Sequence, residues 1–229
     1  MKILAIESAT IAASCAVSED NAVLGEYTLS HKKTHSEKLM PLIEKLLEDL
    51  GINIREIDAI ALTEGPGSFT GLRIGAAIGK SLAYACDIPI VGVPTMKSLA
   101  SNIFDTGKYI VPVLDAKAGR VYSGIYKWEN NSMITVKKQF PTTVEELAGI
   151  INQLEAPVLL NGDGSAIYKS TFESMLKITP VFSTNQFNYL RASSLAFIGY
   201  EMAKRGETVS ASEFSPDYLR LSQAERNTR

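Results

Sequence analysis

At 229 residues the chain is long enough to bury a sizeable core, as one large domain or as two smaller lobes. Its 45% hydrophobic and 21% charged residues are ordinary for a folded globular protein. A formal net charge of −2 and a pI near 5.8 exclude a general nucleic-acid footprint, so any RNA role must work through a local patch or a basic partner. Cys15 and Cys86 stand in apolar surroundings without metal-ligand spacing, which reads as buried thiols in a reducing compartment. The opening MKILAIES is a strand, too short for a signal peptide, and no apolar run approaches the ~20 residues of a membrane helix. The expected location is cytoplasmic, without membrane contact.

In chain order, strands are expected at Lys2–Glu7, Ala13–Ser18 and Ala22–Leu29, then a helix at Ser36–Leu50. A strand at Asp58–Thr63 ends in Gly65, Pro66 and Gly67, where glycine permits positive φ and proline fixes one angle. Ser68 or Thr70 can cap the helix that follows, taken as Leu72–Cys86. A strand at Ile90–Val93 and a helix at Thr95–Asn102 close the first half. The second half begins the same way, with strands Ile110–Asp115, Val121–Trp128 and Ile134–Phe140, a helix Val144–Leu154 and a strand Pro157–Leu160. Helices at Ser165–Met175 and Ala192–Lys204 are expected to complete it.

A β-β-β-α-β-α order therefore occurs twice, with a boundary near Asp105–Lys108, giving an N-terminal lobe over residues 1–105 and a C-terminal lobe with its tail over 106–229. Glu7 aligns with Asp115, and Gly65–Gly67 with Gly162–Gly164. Hairpins followed by strand–helix alternation predict two mixed sheets covered by helices. This α/β plan resembles the duplicated actin-like fold of sugar kinases and Hsp70 ATPases, which implies a nucleotide cleft near those strand ends.

Several motifs tempt and fail. GAAIGKS (Gly75–Ser81) has three residues where a phosphate-binding loop needs four, and it falls inside a helix whose N–H groups are already bonded. Gly65–Gly71 reads GxGxxxG, one residue too long for a dinucleotide fingerprint; a phosphate contact at the helix start stays open beside a plain tight turn. The first loop, ESATIAAS, keeps an acid at Glu7 but no flexible glycine. Asp115 and Asp163 can be read as magnesium ligands or as solvated and capping residues. His31 and His35 are four apart, but Lys32 and Lys33 lie between them, and Thr34 with Glu37 fits a capping box that leaves His31 outside the helix. No GxSxG elbow supports a serine hydrolase.

The helices speak of partners. On Ser36–Leu50 the apolar residues spread over about 160°, wider than one core face requires, so part of that surface is open to another chain. Pro41 removes one helix hydrogen bond and is a candidate kink. Leu72–Cys86 has a bulky side (Ile74, Ile78, Leu82) and a small side (Gly75, Ala76, Gly79, Ala83), and the small side either packs within the chain or admits a second chain. The tail FSPDYLRLSQAERNTR is expected to dock through Tyr218 and Leu219, with disorder beyond Glu225.

Six segments in order carry a closer resemblance: ILAIESAT, HSEKLMPLI, GPGSFTGLRIG, VGVPTMKSLA, LDAKAGRVY and PDYLR. Together they resemble the universal family of tRNA threonylcarbamoyladenosine-synthesis proteins, and within it the bacterial non-catalytic subunit. The catalytic paralogue carries a metal-binding His-x-x-x-His pair on the helix of VGVPTMKSLA, where this chain has Thr95 and Leu99. The resemblance thus implies no catalytic, cofactor or metal residues here. It implies a scaffold that binds and orients the metal-binding transferase paralogue (TsaD), works with a small P-loop ATPase (TsaE), and meets tRNA only through the complex. The modification is threonylcarbamoylation of adenosine 37 in tRNAs that read ANN codons. The implied contact is a four-helix one, with the paralogue or, in its absence, as a homodimer. The residues assigned to it are Leu39, Ile43, Leu46, Leu72, Ala76, Gly79 and Ala83, and a charge at Ala76 or Leu46 is expected to weaken both assemblies. The alternatives are a glycoprotease-like peptidase, which needs a zinc site, and a stand-alone actin-like ATPase, which needs nucleotide affinity.

Overall fold

The computed structural model describes residues 1–30, 35–104 and 106–217. The chain divides into two compact units, one formed by Met1–Thr95 with the described chain from Leu190 onward, the other by Met96–Tyr189.

Unit 1 holds a five-stranded sheet of order β3-β2-β1-β4-β5, built from β1 (Lys2–Glu7), β2 (Ala13–Glu19), β3 (Ala22–Leu29), β4 (Ala59–Gly65) and β5 (Ile90–Pro94). The first three strands form an antiparallel meander, while β4 and β5 join β1 in parallel, with Ile3 opposite Ala59 and Ile60 opposite Ile90. Strand alternation sends Leu4, Ile6, Ile60, Leu62 and Ile90 into one core with α1 (His35–Leu50) and α2 (Phe69–Cys86). Residues of the opposite parity, Ile3, Ala5, Ala61, Val91 and Val93, are buried as well. Burial on both faces explains why these strands read as continuous apolar runs.

The second face is covered by α7 (Ala192–Lys204), which packs on β1, β2, β4 and β5. This corrects the expected boundary and the expected lobe of that helix. A Cβ at Gly199 would lie 2.6 Å from the Ala61 Cβ, so glycine is what lets α7 reach the sheet. After α7, residues 206–217 return along β5 and β4: Val209 bridges Ile90, Phe214 is buried in the α1/α2 core, and the Asp217 N–H donates to the Glu64 carbonyl at 2.6 Å.

Unit 2 repeats the plan in the order β10-β9-β6-β7-β8. It contains β6 (Tyr109–Asp115), β7 (Arg120–Glu129), β8 (Ser132–Thr143), β9 (Val158–Asn161) and the two-residue β10 (Val181–Phe182), which the sequence did not announce. α4 (Val144–Asn152) starts at a capping box made by Thr143 and Glu146. The single helix expected at Ser165–Met175 is two helices, α5 (Asp163–Ile167) and α6 (Lys169–Met175). They break at Tyr168, whose hydroxyl donates to Asp115 at 2.9 Å. α3 (Thr95–Ala100) links the units along the chain.

Candidate partner face and strand-end acids

The strand–turn–helix at Gly65–Gly71 fixes α2 tightly against the sheet. Ser68 caps the helix by accepting the Gly71 N–H at 3.2 Å, so α2 begins at Phe69, three residues earlier than the sequence reading. The Ser8 hydroxyl donates to the Gly71 carbonyl at 2.8 Å. A Cβ at Gly71 would lie 2.0 Å from the Ser8 carbonyl oxygen, and one at Gly79 would lie 2.5 Å from a Leu62 methyl carbon. The glycines of the small side of α2 are thus spent within the chain, on β4 and the turn after β1, and Ala76 and Ala83 join the core that α1 shares. Gly79 and Lys80 sit in mid-helix, with the Lys80 ammonium 2.7 Å from the Phe214 carbonyl, a geometry that offers no phosphate cradle.

The same packing buries the residues expected at a partner contact. Leu39, Ile43, Leu46, Leu72, Ala76, Gly79 and Ala83 are all buried in unit 1, Leu39 and Ile43 completely. They hold α1 and α2 on the sheet, so a charge at Leu46 or Ala76 attacks the fold before any assembly. Helical period puts another set outward: Ala77, Ser81, Tyr84 and Ala85 are exposed, while Met40, Leu42, Leu47, Ile74, Ile78 and Leu82 are half-buried. The wide apolar arc on α1 is real, but its centre faces the core and only its flanks reach solvent. α1 runs through Pro41, which is exposed. His31, Thr34 of the supposed capping box, the His35 side chain, Asp105, Tyr218, Leu219 and the tail beyond Glu225 lie outside the described residues.

The strand-end acids are held by their own loops. Glu7 is fully buried at the end of β1; one carboxylate oxygen accepts the Ala9 N–H at 2.6 Å and the other accepts the Thr63 hydroxyl. Burial raises its pKa to about 7, against the opposing pull of Thr63 and the loop amides. In unit 2 Asp115 accepts the N–H of Lys117 at 2.9 Å, again two residues on, and also meets the Lys117 ammonium at 2.8 Å and the Tyr168 hydroxyl. Burial acts upward on Asp115, but these bonds outweigh it and hold the carboxyl below its usual range. Asp163 accepts the Asp115 N–H at 3.0 Å, and burial raises its pKa. Thr63 and Tyr168 are partners that no motif pointed to, and Lys117 lies in the quoted LDAKAGRVY segment without having been singled out.

The Glu7 environment has a measurable consequence. A carboxyl whose folded pKa stands above its usual 4.5 gives stability that is fully present below that value and is lost as pH rises through about 7. Relative to Glu7→Gln, urea unfolding of the parent chain is expected to lose up to ~3 kcal/mol between pH 4.5 and 8. A difference that stays flat across that range would contradict the assignment.

On α3, Thr95 and Leu99 are buried, and Thr95 Oγ1 has no hydrogen-bond partner among the described residues. A hydroxyl and an isobutyl group do not make a donor pair that would hold a metal ion. Among the described residues, no three His, Cys, Asp or Glu side chains come together, and no helix is long and apolar enough to cross a membrane.

The doubled sheet plan places the chain among actin-like α/β proteins, and a likeness to the ethanolamine utilization protein EutJ from Carboxydothermus hydrogenoformans agrees on fold alone. That likeness has 12% identity and a TM-score of 0.51, over 87% of this chain and 90% of the other. The family model described as TsaD, tRNA N6-adenosine threonylcarbamoyltransferase, matches residues 22–228. The tRNA threonylcarbamoyladenosine biosynthesis protein TsaB of Bacillus subtilis is 33% identical, over 98% of this chain and 96% of that protein. The solved structure of YeaZ from Pseudomonas aeruginosa is 26% identical with a TM-score of 0.83, over 95% of this chain and 99% of the other. The chain belongs to the TsaB (YeaZ) family of tRNA threonylcarbamoyladenosine biosynthesis proteins.

Proposed function

We propose that this chain is the non-catalytic scaffold subunit of a tRNA threonylcarbamoyladenosine transferase. It binds and orients the metal-bearing TsaD-type paralogue, which transfers the threonylcarbamoyl group to N6 of adenosine 37 in tRNAs reading ANN codons. A small TsaE-type P-loop ATPase joins the complex, tRNA is met only through it, and the work is cytoplasmic. The observation that supports this reading is Thr95 and Leu99 on α3, in a chain that matches a TsaB protein over nearly its whole length. The engaged surface is the outward flank of α1 and α2, centred on Ile74, Ala77 and Ile78, and without the paralogue the same flank pairs two copies of the chain.

The reading is tested by light-scattering mass of the chain alone and mixed with the paralogue, followed by threonylcarbamoyl transfer on tRNA. A one-to-one complex is expected, with transfer only in the full mixture. Failure to bind the paralogue, together with ATP hydrolysis or peptide cleavage by the isolated chain, would overturn it.

A further inference from the structure

The two helices that cover one face of the first sheet turn different chemistry outward. With about 3.6 residues per turn, Glu37, Pro41, Glu44 and Glu48 fall on one line of α1, opposite the buried Leu39, Ile43 and Leu46. All four are exposed. Opposite its own core, α2 presents exposed Thr70, Ala77 and Ser81 beside half-buried Ile74, none of them charged. Beside that row, Arg73 lies over the Phe69 ring at 3.9 Å, and Lys80 gives its ammonium to the Phe214 carbonyl.

The acids of α1 are poorly answered within the chain. Lys45 meets Glu48 at 3.4 Å and also Asp49, whose carboxylate accepts the Tyr27 hydroxyl of β3. That lysine therefore sits on the β3 side, whereas α2 packs on β1, β4 and β5. Glu37 and Glu44 meet no cation among the described residues, where the ion pairs of α1 are those of Lys45. The row also works against its own helix. Glu44 and Glu48 are four apart, a spacing at which like charges repel. Glu48 and Asp49 stand at the negative end of the helix dipole, and the last turn has no basic residue.

We propose that Glu37, Glu44 and Glu48 select the partner on this flank, favouring a basic helix face on the paralogue over a second copy of the chain. The inference rests on the α1–α2 flank being the engaged surface. A two-fold pair sets the same patch against itself, so two acidic surfaces are brought together. Their repulsion weakens the homodimer, and salt relieves it by screening. Against a basic face the same acids attract, and that attraction is lost in salt. The uncharged row of α2 gives contact area to both assemblies, and the charge on α1 decides between them.

The affinities of homodimer and heterodimer, measured in low and high salt for the parent and for Glu44→Lys, test this. Between ~50 and ~500 mM salt the parent homodimer is expected to tighten about tenfold and the heterodimer to weaken about tenfold. At low salt Glu44→Lys is expected to tighten the homodimer and weaken the heterodimer, each about tenfold. Its thermal unfolding should match the parent, because Glu44 is exposed and makes no ion pair among the described residues. Glu44→Gln must move both affinities in the same directions by less. If both assemblies tighten, both weaken or neither responds, the proposal is overturned while the flank reading stands. If Ala77→Glu leaves both assemblies intact, the flank reading fails and the proposal falls with it.

Discussion

Replacing Ala77 by glutamate is expected to weaken association with the TsaD-type paralogue about 100-fold, while thermal stability stays within about 2 °C of the parent. Ala77 is exposed on α2, on the outward side of Ile74 and Ile78, so a longer charged side chain costs the isolated fold little. Buried at an interface without a partner, the same charge costs about 3 kcal/mol. Homodimer and heterodimer should weaken together, because both are assigned to one flank; loss of only one would show that the surfaces differ. Leu46→Glu supplies the contrast. Leu46 is 3% exposed in the core with α2 and the sheet, so its variant should lose the fold itself, not the partner alone. Mass measurements alongside thermal unfolding separate the two outcomes.

Gly71→Ala is expected to destabilise the chain by about 3 kcal/mol, although alanine gains ~1 kcal/mol over glycine in a helix interior. The added Cβ would lie 2.0 Å from the Ser8 carbonyl oxygen, a backbone atom that cannot swing aside as a long side chain can. It would also disturb the Ser8 hydroxyl bond to the Gly71 carbonyl and the Ser68 cap. The control is Ala77→Gly on the exposed face, which should cost ~1 kcal/mol by propensity alone. Denaturant unfolding of both variants decides whether glycine in α2 serves close packing on the β1 turn. A Gly71→Ala chain as stable as the parent would show that α2 has slack there.

Residue pattern alone was sufficient for much of this protein. Strand alternation and apolar runs placed nearly every element, and the repeated β-β-β-α-β-α order foretold two similar sheets, because the period of side-chain burial is written into the chain. The six ordered motifs carried the family. That Thr95 and Leu99 make a poor donor pair for a metal ion could also be read from the sequence, since a metal site needs particular atoms at a particular spacing.

What tertiary structure alone decided was which surface each apolar face meets. The glycines of α2 and the wide arc of α1 have the same pattern whether the neighbour is a strand or another chain; here Ser8, Leu62 and the core claim Gly71, Gly79, Leu39, Ile43 and Leu46. α7 crosses back to the first sheet because that sheet is apolar on both faces, a demand set by residues more than a hundred positions earlier. The grip of Thr63 on Glu7 joins two residues on different segments, as does the backbone bond from Asp217 to Glu64. Periodicity is local and is recorded in the sequence. Contact partners are set by long-range packing, and only the folded chain chooses among surfaces that are chemically alike.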